Sequence, residues 1–216
     1  MKYSVEQVKR DLYSGVISDV LDILGYRNQA IGSELMPLSD DTVIFGPAFT
    51  SIGTQVYSMP ENPLIAQCRV VDQLKPGEVY LLVTRGKYTC ALFGELFATN
   101  VNKHGCAGVI LDGCIRDVRE LKRMDFPIFY RTRDPRTSKG RCEINECQIP
   151  IDLCGVTVKP GDYVFADCDG IVIIPADMVD EVITQAYEVL EKENFSRSRL
   201  TQGATMESIY AEGGAV

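Results

Sequence analysis

The chain begins with hydrophobic positions at helical spacing. Between residues 5 and 24 the apolar residues recur every three or four positions, which predicts two helical segments. We expect the break between them near Gly15, because Ser18 and Asp19 provide turn and cap chemistry there. The same spacing predicts further helices over residues 63–73, 94–104 and 176–195, the last with Pro175 in its first turn.

From about residue 43 the pattern changes to short β-branched and aromatic runs separated by Gly and Pro, which is typical of strands. The predicted strands are "TVIFGPAFTSIGT", "GEVYLLVT", "AGVILDG", "FPIFYR" and "DYVFADCDGIVIIP". Strands that alternate with helices favour an α/β fold, whereas the later strands follow one another with few helices between them. We therefore expect a single α/β domain over residues 1–216, with a mixed, partly antiparallel or barrel-like sheet.

The composition supports a packed domain and narrows the classes of partner. Of the 216 residues, 45% are hydrophobic and 24% are charged, so the chain can bury a substantial core. The net charge is −8 and no Lys/Arg cluster could follow phosphates, so no direct nucleic-acid partner is expected. The charged first residues and the lack of a long apolar run argue against a secretory signal or a membrane span. We expect a cytoplasmic protein that binds no membrane.

The eight cysteines favour reduced thiols over a disulfide or zinc framework. No two of them form a Cys-x-x-Cys pair, and the single histidine is His104. The closest pair, Cys142 and Cys147, could bridge on oxidation, but nothing in the sequence requires it. His104 lies at the predicted end of helix 94–104, where a cation interacts well with terminal carbonyls, so we expect it to have a structural role.

Polar groups follow two neighbouring elements in the middle of the chain. Gly94 lies at the predicted start of a helix, so the free amides of residues 94–97 form a site for an anion. The next strand, "GVILDG", is followed by Arg116 and Asp117. Strand ends and helix amino termini meet at one edge of α/β sheets, so Glu95, Arg116 and Asp117 are expected to converge in a pocket.

These residue types suit a small keto acid. A carboxylate can hold a divalent cation, an arginine can bind a carboxylate with two hydrogen bonds, and free amides can hold a second anionic oxygen. The residues alone leave a simpler interpretation open. Glu95 would then compensate the helix dipole, and Arg116 and Asp117 would form a solvated surface pair.

A longer pattern resembles a known family. Glu95, twenty residues, Arg116-Asp117, two residues and Glu120, framed by "GEL" and "GVILDGCIRD", are similar to the family that contains class II 4-hydroxy-4-methyl-2-oxoglutarate aldolases and the regulator of ribonuclease activity A. The resemblance extends to "SGVISDVLDILG", "IFGPAFT" and "KPGDYVFADCDGIVIIP". It implies a fold related to swivelling phosphohistidine domains, and a homotrimer or hexamer with active sites at subunit interfaces.

The resemblance also implies roles for individual residues. Asp117 would hold Mg²⁺, Mn²⁺ or another divalent cation, partly through waters that Glu95 orients, and Arg116 would bind the substrate. The neighbouring subunit would supply further acids, to which we assign no residue. The substrate carboxylate would be held by the backbone of Gly94, Glu95, Leu96 and Phe97.

The activity implied is cleavage of a 4-hydroxy-2-oxo acid to pyruvate. The bond cleavage leaves an enolate, which a divalent cation stabilises as a Lewis acid. Decarboxylation of oxaloacetate gives the same enolate, so we expect it as a side activity. A Schiff-base route through Lys87 or Lys103 is disfavoured, because both are expected to be exposed. The alternative within the family is a regulatory protein that binds a ribonuclease without catalysis.

Overall fold

The computed structural model describes residues 1–86 and 89–215. The helices are α1 (Val5–Asp11), α2 (Ser14–Ile23), α3 (Ile65–Val71), α4 (Glu95–Lys103), α5 (Val118–Arg123), α6 (Val179–Thr201) and α7 (Met206–Ala211). The strands are β1 (Ala30–Ile31), β2 (Met36–Pro37), β3 (Ile44–Gln55), β4 (Val79–Val83), β5 (Ala91–Phe93), β6 (Gly108–Ile115), β7 (Ile128–Arg133), β8 (Cys142–Cys147), β9 (Ile151–Leu153), β10 (Val156–Val158), β11 (Tyr163–Asp167) and β12 (Gly170–Ile174).

One mixed sheet organises the described residues. Its strands run in the order β1-β12-β11-β3-β4-β6-β7-β2, with β5 added to β6 and β8 added to β3. The central strands β3, β4, β6 and β7 are parallel, whereas β11 and β12 pair antiparallel beside them. A separate hairpin joins β9 and β10. The predicted mixed α/β architecture is confirmed.

Strands β4 and β6 lie at the centre of the sheet, where both of its faces are covered. Every residue of β4 and of β6 is buried, as expected for parallel strands between two layers. One face packs against α3, α4 and α5, and the other packs against the β9-β10 hairpin. A third apolar cluster joins α1, α2 and α6 to β11 and β12.

The break between the first two helices lies at Leu12–Tyr13 and not near Gly15, which is inside α2. A tertiary contact sets this position. The carboxylate of Asp167, at the end of β11, accepts hydrogen bonds from the Ser14 backbone nitrogen at 2.8 Å and from the Ser14 hydroxyl at 2.7 Å. Because this carboxylate satisfies free amino-terminal groups, α2 begins at Ser14.

The last long helix also begins later than predicted. Pro175 precedes a turn in which the Ala176 nitrogen donates to Asp162 at 3.1 Å, and α6 begins only at Val179. The six short strands β1, β2, β5, β8, β9 and β10 are missing from the prediction. No helix among the described residues combines the length and the apolar character needed to cross a bilayer.

Strand β8 separates the two cysteines that are closest in sequence. Cys142 and Cys147 stand at opposite ends of this six-residue strand. At about 3.3 Å per residue their Cα atoms are roughly 16 Å apart, well beyond the 7 Å limit for a disulfide. A bridge between them on oxidation is therefore incompatible with this fold.

Candidate active site

The ends of β5 and β6 bring the predicted site residues together. The two strands are parallel, with Ala91 opposite Cys114 and Phe93 opposite Ile115. The Arg116 backbone nitrogen then donates to the Phe93 carbonyl at 3.0 Å. The residues that follow each strand therefore lie side by side, and the turn at Gly94 faces Arg116 and Asp117.

Gly94 makes the close approach possible. A Cβ at this position would stand 2.5 Å from Asp117 Oδ2 and 3.0 Å from Arg116 Cγ, so the space is already occupied. Asp117 Oδ2 accepts a hydrogen bond from the Glu95 backbone nitrogen at 3.3 Å. The Asp117 carboxylate thus caps the amino terminus of α4 from another element, where the helix dipole favours negative charge.

Asp117 has a backbone conformation that few residues adopt. Its φ and ψ angles are 58° and 32°, in the left-handed region, where Asp and Asn are among the better tolerated side chains. Its carbonyl accepts from the nitrogens of Glu120 at 2.9 Å and Leu121 at 3.0 Å, which begins α5. This sharp turn between β6 and α5 fixes the position of the carboxylate beside α4.

Arg116 and Asp117 form an open pair at the edge of a cavity. Arg116 Nε lies 3.5 Å from Asp117 Oδ2, which is a charge contact rather than a good hydrogen bond. The side chains keep 38% and 42% of their exposure. Because the contact runs through Nε, the terminal guanidinium nitrogens are the ones that an anionic ligand would meet.

The Glu95 side chain takes a different direction from its backbone. Its carboxylate accepts from the Thr99 hydroxyl at 2.9 Å, one turn along α4. Glu95 is not one of the described residues that line the neighbouring cavity. The structure therefore brings the Glu95 amide to Asp117, while the role of its carboxylate in orienting water stays a prediction.

A cavity of about 380 Å³ opens beside these residues. Five of the six predicted residues line it: Gly94, Leu96, Phe97, Arg116 and Asp117. Its other lining residues are Leu64, Ala91, Leu92, Phe93, Thr137, Ser138 and Lys139. Its size is within the usual range of small-molecule sites.

The loop after β7 supplies a cation that the sequence analysis missed. Lys139 is exposed on the loop wall of this cavity, after Thr137 and Ser138. The available signal was topological: β7 is parallel to β6, so the loop after it reaches the same edge of the sheet. The loop is anchored where the Ala91 nitrogen donates to the Arg136 carbonyl at 2.9 Å.

An ion pair stabilises the base of the same loop. The Arg136 guanidinium donates two hydrogen bonds to Asp134, at 2.9 and 2.6 Å, and the Arg136 backbone nitrogen donates a third at 2.8 Å. These bonds lower the pKa of Asp134 to about 2, so its charge is constant in the physiological range. The Asp134–Arg136 ion pair at the base of the loop therefore stays charged near neutral pH.

The donor set fits a hard divalent cation only in part. No group of three or more potential metal ligands occurs among the described residues. Mg²⁺, however, commonly keeps several waters and uses one or two carboxylates. Asp117 offers one carboxylate at the corner formed by Gly94, Arg116 and Asp117, where a side chain on residue 94 would intrude. Asp117 would thus hold a cation mainly through waters, or with ligands from another subunit.

Two other polar residues considered in the sequence analysis, His104 and Asp167, have structural roles. His104 caps the far end of α4, where its backbone nitrogen donates to Asn100. Lys103 is in the last turn of the same helix, and Lys87 lies outside the described residues. The "ADCDG" turn is explained by Asp167, which accepts from Ser14 and from the Asp169 nitrogen.

Comparison with known proteins finds a consistent set of relatives. The family profile described as RraA-like, Aldolase/RraA, matches residues 15–173. A Halalkalibacterium halodurans protein, whose name assigns it provisionally as a 4-hydroxy-4-methyl-2-oxoglutarate aldolase, is 33% identical over 82% of this chain and 79% of its own. An uncharacterised Methanocaldococcus jannaschii protein is 35% identical over 59% of this chain, and the match spans 61% of that protein's length.

A solved structure shares the fold. Streptomyces coelicolor RraAS2, titled an unusual member of the RNase ES inhibitor RraA protein family, superposes with a TM-score of 0.78 at 27% identity. The superposition covers 89% of this chain and 94% of the Streptomyces chain.

Proposed function

The chain belongs to the RraA-like, Aldolase/RraA family, and we propose that it is a divalent-metal-dependent class II aldolase. It cleaves 2-oxo acids of the 4-hydroxy-4-methyl-2-oxoglutarate type to pyruvate and decarboxylates oxaloacetate as a side activity. The observation that carries this proposal is the convergence of Gly94, Arg116 and Asp117 at the amino terminus of α4, beside the cavity. We further propose that residues 1–216 act as one domain.

Each residue of the corner has a distinct task in this reaction. The amides of Leu96 and Phe97, in the first turn of α4, hold the substrate carboxylate. The Arg116 guanidinium binds the 2-oxo oxygen and stabilises the negative charge that develops there as the carbon bond breaks. Asp117 holds the cation, which when bound supplies Lewis-acid stabilisation of the same charge.

Lys139 gives the cavity a second positive charge. It lies on the loop wall, whereas Arg116 lies on the wall formed by the strand ends. A 4-hydroxy-2-oxo diacid carries a carboxylate at each end; the α4 amides hold one of them, and a positive charge beside the other would select the diacid over a monoacid. We assign the distal carboxylate to Lys139 and to the hydroxyls of Thr137 and Ser138.

The proposed assembly is a homotrimer or hexamer with the site at an interface. Asp117 is the single carboxylate among the described residues that line the cavity, so ligands from a neighbouring subunit would complete the site. Light scattering combined with activity at decreasing concentration tests this: activity should fall as the oligomer dissociates. A fully active monomer would exclude the shared site.

A non-catalytic regulator of ribonuclease activity is the second candidate function. The superposition on Streptomyces coelicolor RraAS2 favours it, because that protein is described as an unusual member of the RNase ES inhibitor RraA protein family. Recovery of a ribonuclease on the immobilised chain, together with no turnover of any 2-oxo acid, would support the regulator and reject the aldolase.

The proposal is tested by a substrate panel. Purified protein with Mg²⁺ or Mn²⁺ is incubated with 4-hydroxy-4-methyl-2-oxoglutarate, with oxaloacetate and with 4-hydroxy-2-oxo monoacids, and pyruvate release is followed with lactate dehydrogenase. We expect turnover of the diacids, fastest for a 4-hydroxy-2-oxo diacid. No pyruvate above the uncatalysed rate from any of them would reject the aldolase.

A further inference from the structure

Strand β5, which forms one wall of the cavity, is short and irregular. It has three residues, and its register with β6 shifts between Ala91, opposite Cys114, and Phe93, opposite Ile115. Leu92 is therefore the extra residue of a bulge. Bulges occur next to active sites, where they redirect neighbouring groups, but they interrupt the ladder that would otherwise fix the strand.

A buried glutamine compensates for this irregularity. The Gln67 side-chain amide, on α3, donates a hydrogen bond to the Leu92 carbonyl. Both residues are only 2% exposed. Glutamine is rarely buried to this extent, and a buried carbonyl that loses its donor is costly, so this contact specifies the position of β5.

The contact lies two residues before Gly94. The next carbonyl, that of Phe93, accepts from the Arg116 backbone nitrogen, and the amide after Gly94 donates to Asp117. A shift of Leu92 would therefore be transmitted to both charged residues of the corner. Because the Gly94 turn has no spare space, a movement of a few tenths of an ångström changes these contacts.

We propose that Gln67 is a positioning residue of the candidate site: by holding the bulged Leu92 carbonyl, it fixes the backbone of residues 93–97, which binds the substrate carboxylate and places Arg116. The inference rests on the proposed function for its kinetic consequence, but its structural consequence can be measured without any activity.

Gln67→Met tests the proposal because methionine keeps the length of the side chain and loses the donor. We expect kcat on a 2-oxo diacid to fall roughly 10- to 100-fold, with a smaller change in KM, since misplacement by about 1 Å costs about 100-fold and a smaller shift costs less. The affinity for Mn²⁺ should change little, because the Asp117 carboxylate is retained.

Two controls separate positioning from general destabilisation. Gln73→Met removes an exposed glutamine whose amide bonds to Arg69, near the end of the same helix, and should leave kcat unchanged. Ile183→Val or Ile183→Ala, in the cluster where α6 packs on β11 and β12 and which contains no residue of α3, is chosen to match the loss of melting temperature in Gln67→Met. It should also keep the parental kcat.

Amide hydrogen exchange gives the readout that is independent of catalysis. In Gln67→Met, the hydrogen-bonded amides of this segment, those of Glu95, Ala98 and Arg116, should exchange about tenfold faster than in the parent, whereas the Ile183 variant should not affect them selectively. Unchanged exchange in this segment would overturn the proposal, as would a kcat equal to that of the matched Ile183 variant. If the parent turns over no 2-oxo acid, the proposed function fails and exchange alone decides the role of Gln67.

Discussion

Replacing Gly94 by alanine should disrupt the site without disrupting the fold. The φ angle of Gly94 is −155°, an extended value that alanine adopts without strain. The new Cβ would stand 2.5 Å from Asp117 Oδ2, 3.0 Å from Arg116 Cγ and 3.4 Å from Arg116 Nε. Because non-bonded carbon atoms pack at about 3.5–4.0 Å, both charged side chains must retreat by roughly 0.5–1 Å.

The expected magnitude follows from these distances. The Glu95 amide is already 3.3 Å from Asp117 Oδ2, so further movement breaks this hydrogen bond. Displacement of catalytic groups by about 1 Å costs about 100-fold in rate, or roughly 2.7 kcal/mol of transition-state stabilisation. We therefore expect kcat/KM to fall by about two orders of magnitude.

The effect on stability should be small. Alanine is a poorer amino-terminal cap than glycine, which costs a fraction of a kcal/mol to about 1 kcal/mol. Alanine also makes the unfolded chain less flexible, which stabilises the folded state by about 0.4–1 kcal/mol. The two terms nearly cancel, so the melting temperature should move by no more than about 2–4 °C for a chain of this size.

The assay is pyruvate release at steady state, with calorimetric melting of the same samples. Gly15→Ala is the matched control, because its Cβ would meet only the Tyr13 ring at 3.6 Å, an ordinary contact, inside α2. It should retain parental activity and melt at the same or a slightly higher temperature. Parental kcat/KM in Gly94→Ala would refute the close-packed corner, and a large loss of melting temperature would show that Gly94 serves the fold.

Three further predictions address the charged residues and the thiols. Arg116→Lys keeps the charge but loses the planar donors, so metal affinity should persist while the drop in kcat/KM corresponds to a loss of about 1.5–3 kcal/mol of transition-state stabilisation. A kcat/KM equal to that of the parent in steady-state kinetics would remove Arg116 from the site. Lys139→Met should reduce kcat/KM for a 4-hydroxy-2-oxo diacid at least tenfold more than for the monoacid, and an equal loss on both would argue against a distal carboxylate site. Iodoacetamide under native conditions should label the exposed Cys68 and Cys168 first, as read by peptide mass spectrometry, and prior labelling of buried thiols would contradict the packing.

The parts of the fold that depend on local pattern could be predicted from the sequence. Strand β4 is an uninterrupted hydrophobic run, β6 contains the run "VIL", and α4 follows a glycine, so their positions follow from composition and spacing. Strand β8, "CEINEC", has a mixed exposure pattern and is a strand because it pairs with the distant β3. Strand β5, "ALF", has apolar spacing that a helix also allows, so only its pairing with β6 identifies it.

The candidate site also has a part that could be predicted from the sequence and a part that could not. The convergence of Gly94, Arg116 and Asp117 follows from the rule that parallel strands end at one edge, which can be applied to a sequence. Lys139 has no fixed spacing from these residues, because its loop reaches the cavity through the order of strands in the sheet. The direction of the Glu95 carboxylate depends on its hydrogen bond with Thr99, which no pattern of residue types reveals.

The measurement that tests the central claim most directly is a metal titration of chelator-treated protein, with oxaloacetate and a 4-hydroxy-2-oxo diacid as substrates. We expect the parent to be inactive after EDTA and to recover with Mg²⁺ or Mn²⁺. Asp117→Asn, which keeps the shape but loses a ligand charge, should bind Mn²⁺ much more weakly by calorimetry and recover little activity except at high concentrations of added metal. Full activity in EDTA, inactivation by borohydride in the presence of pyruvate, or parental metal affinity and turnover in Asp117→Asn would contradict this account.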